Sequence, residues 1–162
     1  MPFPQLLIFI LTNLLLLCFW KVPSLHAWAM KESVRTLVFI HAIRLLAGSA
    51  FLVYYSRGEL PYAFAVPGGW GDIGVAVVGI VVCLANPSAS SRFAYLLWNT
   101  LGFVDILFVV STAARLVLAN PGSMRPLTEF PLALLPTFVV PIIIATHLLI
   151  FFRFFSSTGP RD

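Results

Sequence analysis

A small set of polar side chains interrupts stretches that are otherwise apolar, and their types could bind a ligand or carry protons. In the stretch TLVFIHAIRLLAGSAFLV, His41 and Arg44 are three residues apart and would share one face of a helix. An imidazole titrates near neutral pH, whereas a guanidinium binds anionic groups through its fork of N–H donors. The candidates for ligand binding or proton relay are His41, Arg44, Asp72, Asn99, Asp105 and His147.

Composition places these side chains in a membrane protein. Hydrophobic residues make up 60% of the 162 residues, charged residues make up 10%, and the mean hydropathy is +0.98. Soluble domains are about 45–50% apolar and about 25% charged, so this chain has too few charges to cover a water-exposed surface. The net charge of +4 could suit nucleic acid, but the basic residues are scattered singly, and no nucleic-acid partner is expected.

Five apolar segments are long enough to be transmembrane helices, since a crossing takes roughly 20 residues. The joints between them contain the Gly, Pro and Asn of turns, as in RGELPYAFAVPGG, NPSASSR and NPGSMRPLTE. Between the first two segments, KVPSLHAWAMKES mixes tryptophan with charged residues, which is typical of a short helix at the membrane interface. The sequence therefore predicts an all-α fold, a single transmembrane domain over residues 1–162, with spans at about residues 3–20, 34–56, 70–86, 93–119 and 130–155.

Basic residues near the span ends predict the orientation of the bundle. The side that holds the first and third connections and the C-terminus has six of them, and the other side has three. The positive-inside rule therefore predicts an N-terminus outside and a C-terminus in the cytoplasm, in a bacterial cytoplasmic (inner) membrane. The first apolar run has no Lys or Arg before it and exceeds the roughly 7–15 residues of a signal-peptide core, which favours a retained span.

Positions along the helices predict that the candidates converge inside the bundle. At a rise of about 1.5 Å per residue, His41, Asn99 and His147 each lie roughly 9 Å from the cytoplasmic end of their span. By the same rise, Arg44 and Asp105 lie deeper, at roughly 14 and 18 Å. Because an arginine at mid-bilayer costs about 2.5 kcal/mol or more, an Arg44–Asp105 ion pair is expected. Asn99 points roughly 120° away from Asp105 and is expected to hydrogen-bond a neighbouring helix.

Two further features concern the outer ends of spans three and five. Asp72 follows PGGWG at the predicted start of span three, where a carboxylate could cap the helix. The prolines of span five, Pro131, Pro136 and Pro141, each lack a backbone donor. A break of this kind survives in a membrane where protein or water satisfies the freed carbonyls. The outer half of span five is therefore expected to be loosened or kinked.

Three functions remain open on this pattern. In the first, the polar residues line a cavity for a small polar or anionic ligand or for protons, with the histidines titrating and Arg44 holding the anionic group. In the second, His41 and His147 are axial ligands of a haem b, and no other cofactor or metal is expected. In the third, the polar residues only join the helices of a structural subunit, in a homo-oligomer or a larger membrane complex. A hydrolase is not favoured, because Ser49, Ser111 and His147 lie at different depths and the sequence has no nucleophile elbow. Whether the chain is an enzyme of another kind stays open on this pattern, with no activity favoured.

Four segments resemble a group of small uncharacterised bacterial multi-span proteins that has no known activity. They are HAIRLL, GWGDIGVAVVG, LLWNTLGFVDILFVVS and FPLALLPTFVVPIIIATHLLIFFR, and the resemblance covers about residues 44–153. The recurring elements are the arginine of span two, the Gly/Asn-Asp pattern at the start of span three, the Trp-Asn pair of span four, and the proline-rich last span ending in His147. His41 and Asp105 lie outside that pattern, which weakens the haem hypothesis and makes the predicted ion pair particular to this chain.

Overall fold

The chain folds into a bundle of helices. The computed structural model describes the backbone of residues 3–85 and 92–156 and the side chains of residues 6–85 and 92–156. Within those ranges there is no β-strand, so the expected all-helical fold is confirmed. The α-helices are α1 (Phe3–Lys21), α2 (Pro23–Lys31), α3 (Val34–Ile40), α4 (Ile43–Ser56), α5 (Tyr62–Ala85), α6 (Arg92–Ala119) and α7 (Val140–Phe155).

Several of these elements are long and apolar enough to cross a membrane. Among the described residues, four qualify on their own, with mean hydropathies between 1.9 and 2.2: Val34–Ser56, Tyr62–Ala85, Arg92–Ala119 and Leu135–Phe155. The helix α1 is joined to α2 through a bend of 93°, and this pair supplies a fifth span if it is counted as one. The structure therefore supports a membrane protein with four or five spans, and a position of α2 at the membrane interface stays a prediction.

The second span is interrupted at His41 and Ala42, where the sequence predicts one continuous helix. The backbone N–H groups of His41 and Ala42 donate to the carbonyls of Val38 and Phe39, both at 3.0 Å. The N–H of Arg44 likewise donates to the carbonyl of His41 at 3.0 Å. These bonds join residues three apart instead of four, which is the tighter 3₁₀ pattern, and such stretches inside helices often mark functional positions. His41 thus lies at the junction of α3 and α4.

The third span begins earlier than the sequence predicts. The helix α5 starts at Tyr62 instead of near residue 70, and it includes Pro67. Phe64 and Ala65 are almost fully buried, and the ring of Phe64 packs edge-on against Phe51 of α4, with centroids 4.8 Å apart. Burial of these side chains stabilises helix in a segment whose prolines and glycines favour a loop, and tertiary packing commonly overrides such local preferences.

The last span begins later than predicted, and its outer part is irregular as expected from the prolines. Residues 130–134 form turns and a short helical lead, and Leu135–Val139 is a π-helical turn that contains Pro136. The hydroxyl of Thr137 donates to the carbonyl of Ala133 at 2.7 Å. The carbonyl of Leu132, which Pro136 cannot reach with an N–H, instead accepts from the backbone N–H of Leu135 at 2.9 Å. Local changes of hydrogen-bond pattern of this kind let membrane helices tolerate proline.

Close packing of α4 against α5 depends on two glycines. A Cβ atom placed on Gly48 would collide with the backbone carbonyl oxygen of Gly69, and a Cβ on Gly69 would lie 2.9 Å from the carbonyl oxygen of Gly48. Small residues at such crossings let membrane helices approach closely. The same hypothetical Cβ on Gly48 lies 3.0 Å from the Cβ of Asp72, so this crossing brings Asp72 close to the face of α4.

Candidate functional site

Arg44 is at the centre of the candidate site. It lies in the first turn of α4, and its side chain is fully buried. Its Nε donates to Oδ1 of Asp72 at 2.6 Å, and its Nη1 donates to the carbonyl oxygen of Gly102 at 3.2 Å. Its Nη2 donates to Oδ2 of Asp105, so the ion pair expected from helix depth is present. One guanidinium therefore joins α4 to both α5 and α6.

Asp72 does not cap a helix, and that prediction is wrong. Since α5 begins at Tyr62, Asp72 lies well inside the helix, where its side chain is only 4% exposed. Counting from Tyr62 at about 1.5 Å per residue puts Asp72 roughly 15 Å into the span, at a depth where Arg44 can reach it. Because the sequence predicts a start of this helix near residue 70, it does not identify Asp72 as the second carboxyl partner of Arg44.

Asp105 lies at the edge of the cluster. Its side chain is 19% exposed, whereas that of Arg44 is completely buried. A Cβ atom on Gly71 of α5 would collide with Oδ1 of Asp105, so the absence of a side chain at Gly71 leaves the space that this carboxyl group occupies. Asp72 of α5 and Asp105 of α6 thus both accept hydrogen bonds from the guanidinium of Arg44.

Two histidines form a second group beside Arg44. His41 and His147 are both fully buried, and their rings are in contact, with centroids 4.3 Å apart and planes tilted by 54°. Nε2 of His41 lies 3.0 Å from the hydroxyl of Thr146, and Nδ1 of His147 lies 2.8 Å from Oδ1 of Asn99. The amide nitrogen of Asn99 donates to the backbone carbonyl of His147 at 3.1 Å. Asn99 therefore makes the contact between helices that the sequence predicts, here between α6 and α7.

Each imidazole has one ring nitrogen without a hydrogen-bond partner among the described residues. These atoms are Nδ1 of His41 and Nε2 of His147. With the amide of Asn99 oriented as above, Nδ1 of His147 carries a proton, and in the neutral ring Nε2 presents a lone pair. Buried polar atoms without partners are rare in folded proteins, and they often mark a functional role or a bound water.

Aromatic rings enclose the histidines. Trp98 packs edge-on against His41 with centroids 5.0 Å apart, and it lies 5.6 Å from the ring of His147. Phe103 contacts His147 from another side, at 5.9 Å. The indole N–H of Trp98 donates to the carbonyl of Val75 at 2.8 Å, which fixes the ring in place. Neither Trp98 nor Thr146 is among the sequence candidates. The Trp-Asn pair of span four did point to Trp98 through the resemblance, whereas a threonine in an apolar helix has no signal of its own.

Gly102 lies between the two sets of side chains, Arg44 with its carboxyl partners on one side and the two histidines on the other. A Cβ on Gly102 would lie 2.8 Å from Cε1 and 3.2 Å from Nε2 of His147, while the carbonyl of the same residue accepts from Arg44. The structure thus brings all the sequence candidates into one site, to which the α3–α4 junction, α4, α5, α6 and α7 contribute. We refer to this site as the polar cluster: His41, Arg44, Asp72, Asn99, Asp105, Thr146 and His147.

A haem does not fit between the two histidines as they are packed. Axial ligation requires the iron and the porphyrin plane to lie between two imidazoles, and here the rings of His41 and His147 contact each other directly. In the parts of the chain that are described, no group of three or more His, Cys, Asp or Glu side chains is placed to hold a metal ion.

A cavity of about 180 Å³ reaches the polar cluster at Thr146. Its other lining residues are apolar: Leu15, Phe19, Trp28, Leu37, Ile40, Ile142 and Ala145. Such a wall is almost entirely apolar and has no positively charged side chain, so this cavity does not favour an anionic ligand at the cluster.

Comparison with known proteins places the chain in a family. No curated protein and no solved structure matches it. A family described as a domain of unknown function, DUF8737, matches residues 1–155, which is nearly the whole chain. That match agrees with the resemblance to an uncharacterised group, and it carries no activity with it. The chain belongs to the DUF8737 family.

Proposed function

We propose that this chain is a multi-span protein of a bacterial cytoplasmic membrane that conducts protons through its polar cluster. The observation that carries this proposal is the arrangement of titratable groups. Two carboxyl groups share one guanidinium, and beside them two imidazoles in contact each have a ring nitrogen without a described partner. When Arg44, Asp72 and Asp105 are all ionised, their summed formal charge is −1. One bound proton neutralises it.

The contacts within the cluster bring its titratable side chains close to one another, which supports the proposal. Thr146 contacts His41, the two imidazoles contact each other, and Nε2 of His147 lies against Gly102. The carbonyl of Gly102 accepts from Arg44, and the two carboxyl partners of Arg44 are the groups on this side of the cluster that can exchange a proton. Of these two, Asp105 is partly exposed. Ionisable residues inside membrane spans are rare, and chains of Asp, Glu and His form the proton relays of pumps and transporters.

Binding of a small anion is less well supported. Three nitrogen atoms of Arg44 already donate to protein acceptors, two of which are carboxyl groups. An anionic ligand would have to displace a carboxylate that is already placed to bind the guanidinium. The cluster has a partner for the arginine without any ligand.

A structural role is the second candidate, and one observation favours it. Arg44 alone links α4, α5 and α6, and the pair Asn99–His147 links α6 to α7. Hydrogen bonds between membrane helices stabilise a bundle without any other function. The two candidates differ in what they require of Asp72 and Asp105: a relay needs groups that exchange protons, whereas a structural contact needs only hydrogen-bond acceptors.

Proton flux into liposomes separates these candidates. Purified protein is reconstituted with a pH-sensitive dye trapped inside, and a potassium diffusion potential set by valinomycin drives protons inward. Asp72→Asn and Asp105→Asn keep an acceptor of the same size but cannot exchange a proton. We expect flux above that of protein-free liposomes for the unchanged chain and for Glu129→Gln, which removes an exposed carboxyl group outside the cluster. Both asparagine variants should reduce flux to the protein-free level.

Two results would contradict the proposal. The first is a flux for the unchanged chain no greater than that of empty liposomes. The second is undiminished flux in both asparagine variants. Either result, with the variants still folded, leaves the structural role as the better account of the cluster.

A further inference from the structure

A second feature of the fold lies outside the polar cluster, between α1, α2 and α7. It is a cavity of about 250 Å³ that opens to the surface of the bundle. Apart from His26, its walls are apolar or aromatic: Leu16, Phe19, Trp20, Ala29, Met30, Leu148, Leu149 and Phe152. A cavity of this composition suits a hydrocarbon chain, and its single imidazole suits a polar group at one end.

The cavity is built into the fold by the sharp turn between α1 and α2. The two helices meet at 93°, and Arg153 of α7 holds the end of α2 by donating to the backbone carbonyls of Ala29 and Glu32. Trp20 packs edge-on against Phe152, with centroids 5.4 Å apart, and lies 6.4 Å from the ring of His26. The space is thus framed by fixed contacts on three helices.

The charges at the end of the bundle that holds the cavity are mostly positive. Lys21 ends α1 one residue after Trp20, Lys31 ends α2 one residue after Met30, and both lysines are exposed. We call this end of the bundle, with its five basic residues, the basic end: Lys21, Lys31, Arg35, Arg92 and Arg153. Glu32 is the acidic residue described at the same end. The opposite end has Arg57, Arg115 and Arg125 against Glu59 and Glu129.

We propose that this cavity is a binding site for an anionic phospholipid. One acyl chain fills the apolar space, and the phosphate is bound at the mouth by Lys21, Lys31 and His26. Apolar burial alone would accept any lipid of the same chain length, so the lysines supply the selection for negative charge. Basic residues beside a membrane surface each contribute about 1 kcal/mol to the attraction of anionic lipids, which corresponds to about fivefold in affinity.

An alternative to a lipid is that a second copy of this chain covers the cavity. The charge at this end argues against a two-fold contact through the cavity, because such a contact would bring the Lys21 and Lys31 of both copies together. An anionic headgroup is complementary to these lysines, whereas a like-charged surface is not.

Native mass spectrometry of delipidated protein in detergent tests the proposal. The probes are dioleoylphosphatidylglycerol, which is anionic, and dioleoylphosphatidylcholine, which has the same chains and no net charge. We expect the anionic lipid to bind more tightly, and Lys21→Gln and Lys31→Gln each to weaken its binding about fivefold without changing binding of the neutral lipid. Arg57→Gln, an exposed basic residue at the opposite end, is the control and should leave both affinities unchanged.

A second pair of variants tests the cavity itself. Met30→Trp fills the space from a lining position and should weaken binding of both lipids. Leu17→Trp adds the same side chain at an exposed position next to Leu16 and should weaken neither.

Three results would overturn the proposal: equal affinity for the two lipids, an unchanged preference in both lysine variants, or a dimer that carries no lipid. Because both lysines are exposed, their variants should keep the fold and decide the question even if Met30→Trp does not fold.

Discussion

At the scale of single residues, Arg44 is a charged side chain that is completely buried inside the bundle. Its guanidinium is buried and hydrogen-bonds to Asp72, Asp105 and the carbonyl of Gly102. Removing one partner of a buried ion pair leaves a charge that water cannot solvate, and this cost exceeds what the pair itself contributes. The ion pair between Arg125 and Glu129 is the natural comparison, because its side chains are 77% and 56% exposed.

Arg44→Ala should lower the free energy of unfolding by about 3–5 kcal/mol, because two carboxyl groups lose their common partner. Arg44→Lys should not restore the lost stability, since an ammonium lacks the planar fork that reaches all three acceptors. Thermal and denaturant unfolding in detergent measure the change. As the control, Arg125→Ala should cost no more than about 1 kcal/mol, as exposed pairs do.

The number of carboxyl partners sharpens this prediction. Replacing Arg44 and Asp105 together by leucine still leaves Asp72 without a partner, so stability should not recover. Replacing all three should recover most of it, because a buried ionic group can often be exchanged for apolar side chains at little cost. A loss for Arg44→Ala no greater than that for Arg125→Ala would mean that the guanidinium does not hold these helices together.

At the scale of secondary-structure elements, the register of α4 against α5 decides whether the cluster forms. The two backbones approach closely at Gly48 and Gly69, and this crossing puts Asp72 within reach of Arg44. A side chain at the crossing would separate the helices, since the atom it meets is a backbone oxygen, which has no rotamer to change.

Gly48→Ala should therefore destabilise the protein by about 1–3 kcal/mol, the usual cost of overpacking. It should also reduce proton flux, because Arg44 and Asp72 move apart. Gly74→Ala is the matched control in α5, where an added Cβ meets nothing within 4 Å. This second change should be neutral or stabilise by up to about 1 kcal/mol, since alanine is the better helix former. Equal effects of the two substitutions on unfolding would refute the role of the α4–α5 crossing.

The elements also show which parts of the site follow from the sequence. Arg44 lacks an acidic residue on its own span, so a partner on another helix follows from local reasoning, and helix depth identified Asp105. The role of Asp72 did not follow, because the start of α5 depends on the burial of Phe64, a contact between distant segments. The interruption of the second span at His41 could not be predicted either, since no proline or glycine lies at this position in the sequence.

At the scale of the whole molecule, the charge asymmetry predicts how the bundle sits in the membrane. Composition was enough to predict apolar helices, because few charges and continuous apolar runs of roughly 20 residues are typical of transmembrane helices. The number of spans is less direct, since it depends on how α1 and α2 are counted across their bend. Orientation depends on the basic end, which we predict to face the cytoplasm.

Cysteine labelling in intact cells tests that orientation. Lys31→Cys and Glu59→Cys place single exposed thiols at the two ends, in a background with Cys18 and Cys83 replaced by alanine. A membrane-impermeant maleimide should label Glu59→Cys and spare Lys31→Cys until the cells are opened. The reverse labelling would show that the orientation is opposite to the predicted one. Labelling of both positions from outside would be incompatible with an odd number of crossings between them.

Infrared difference spectroscopy of the reconstituted protein tests the proton proposal most directly. Spectra recorded between neutral and acidic pH report the carboxylic-acid C=O band of each group that takes up a proton. We expect a reversible band from a carboxyl group shielded from water, which is lost in Asp72→Asn or Asp105→Asn and kept in Glu129→Gln. Identical difference spectra for the unchanged chain and both asparagine variants would show that these two groups exchange no protons, and would contradict proton conduction through the cluster.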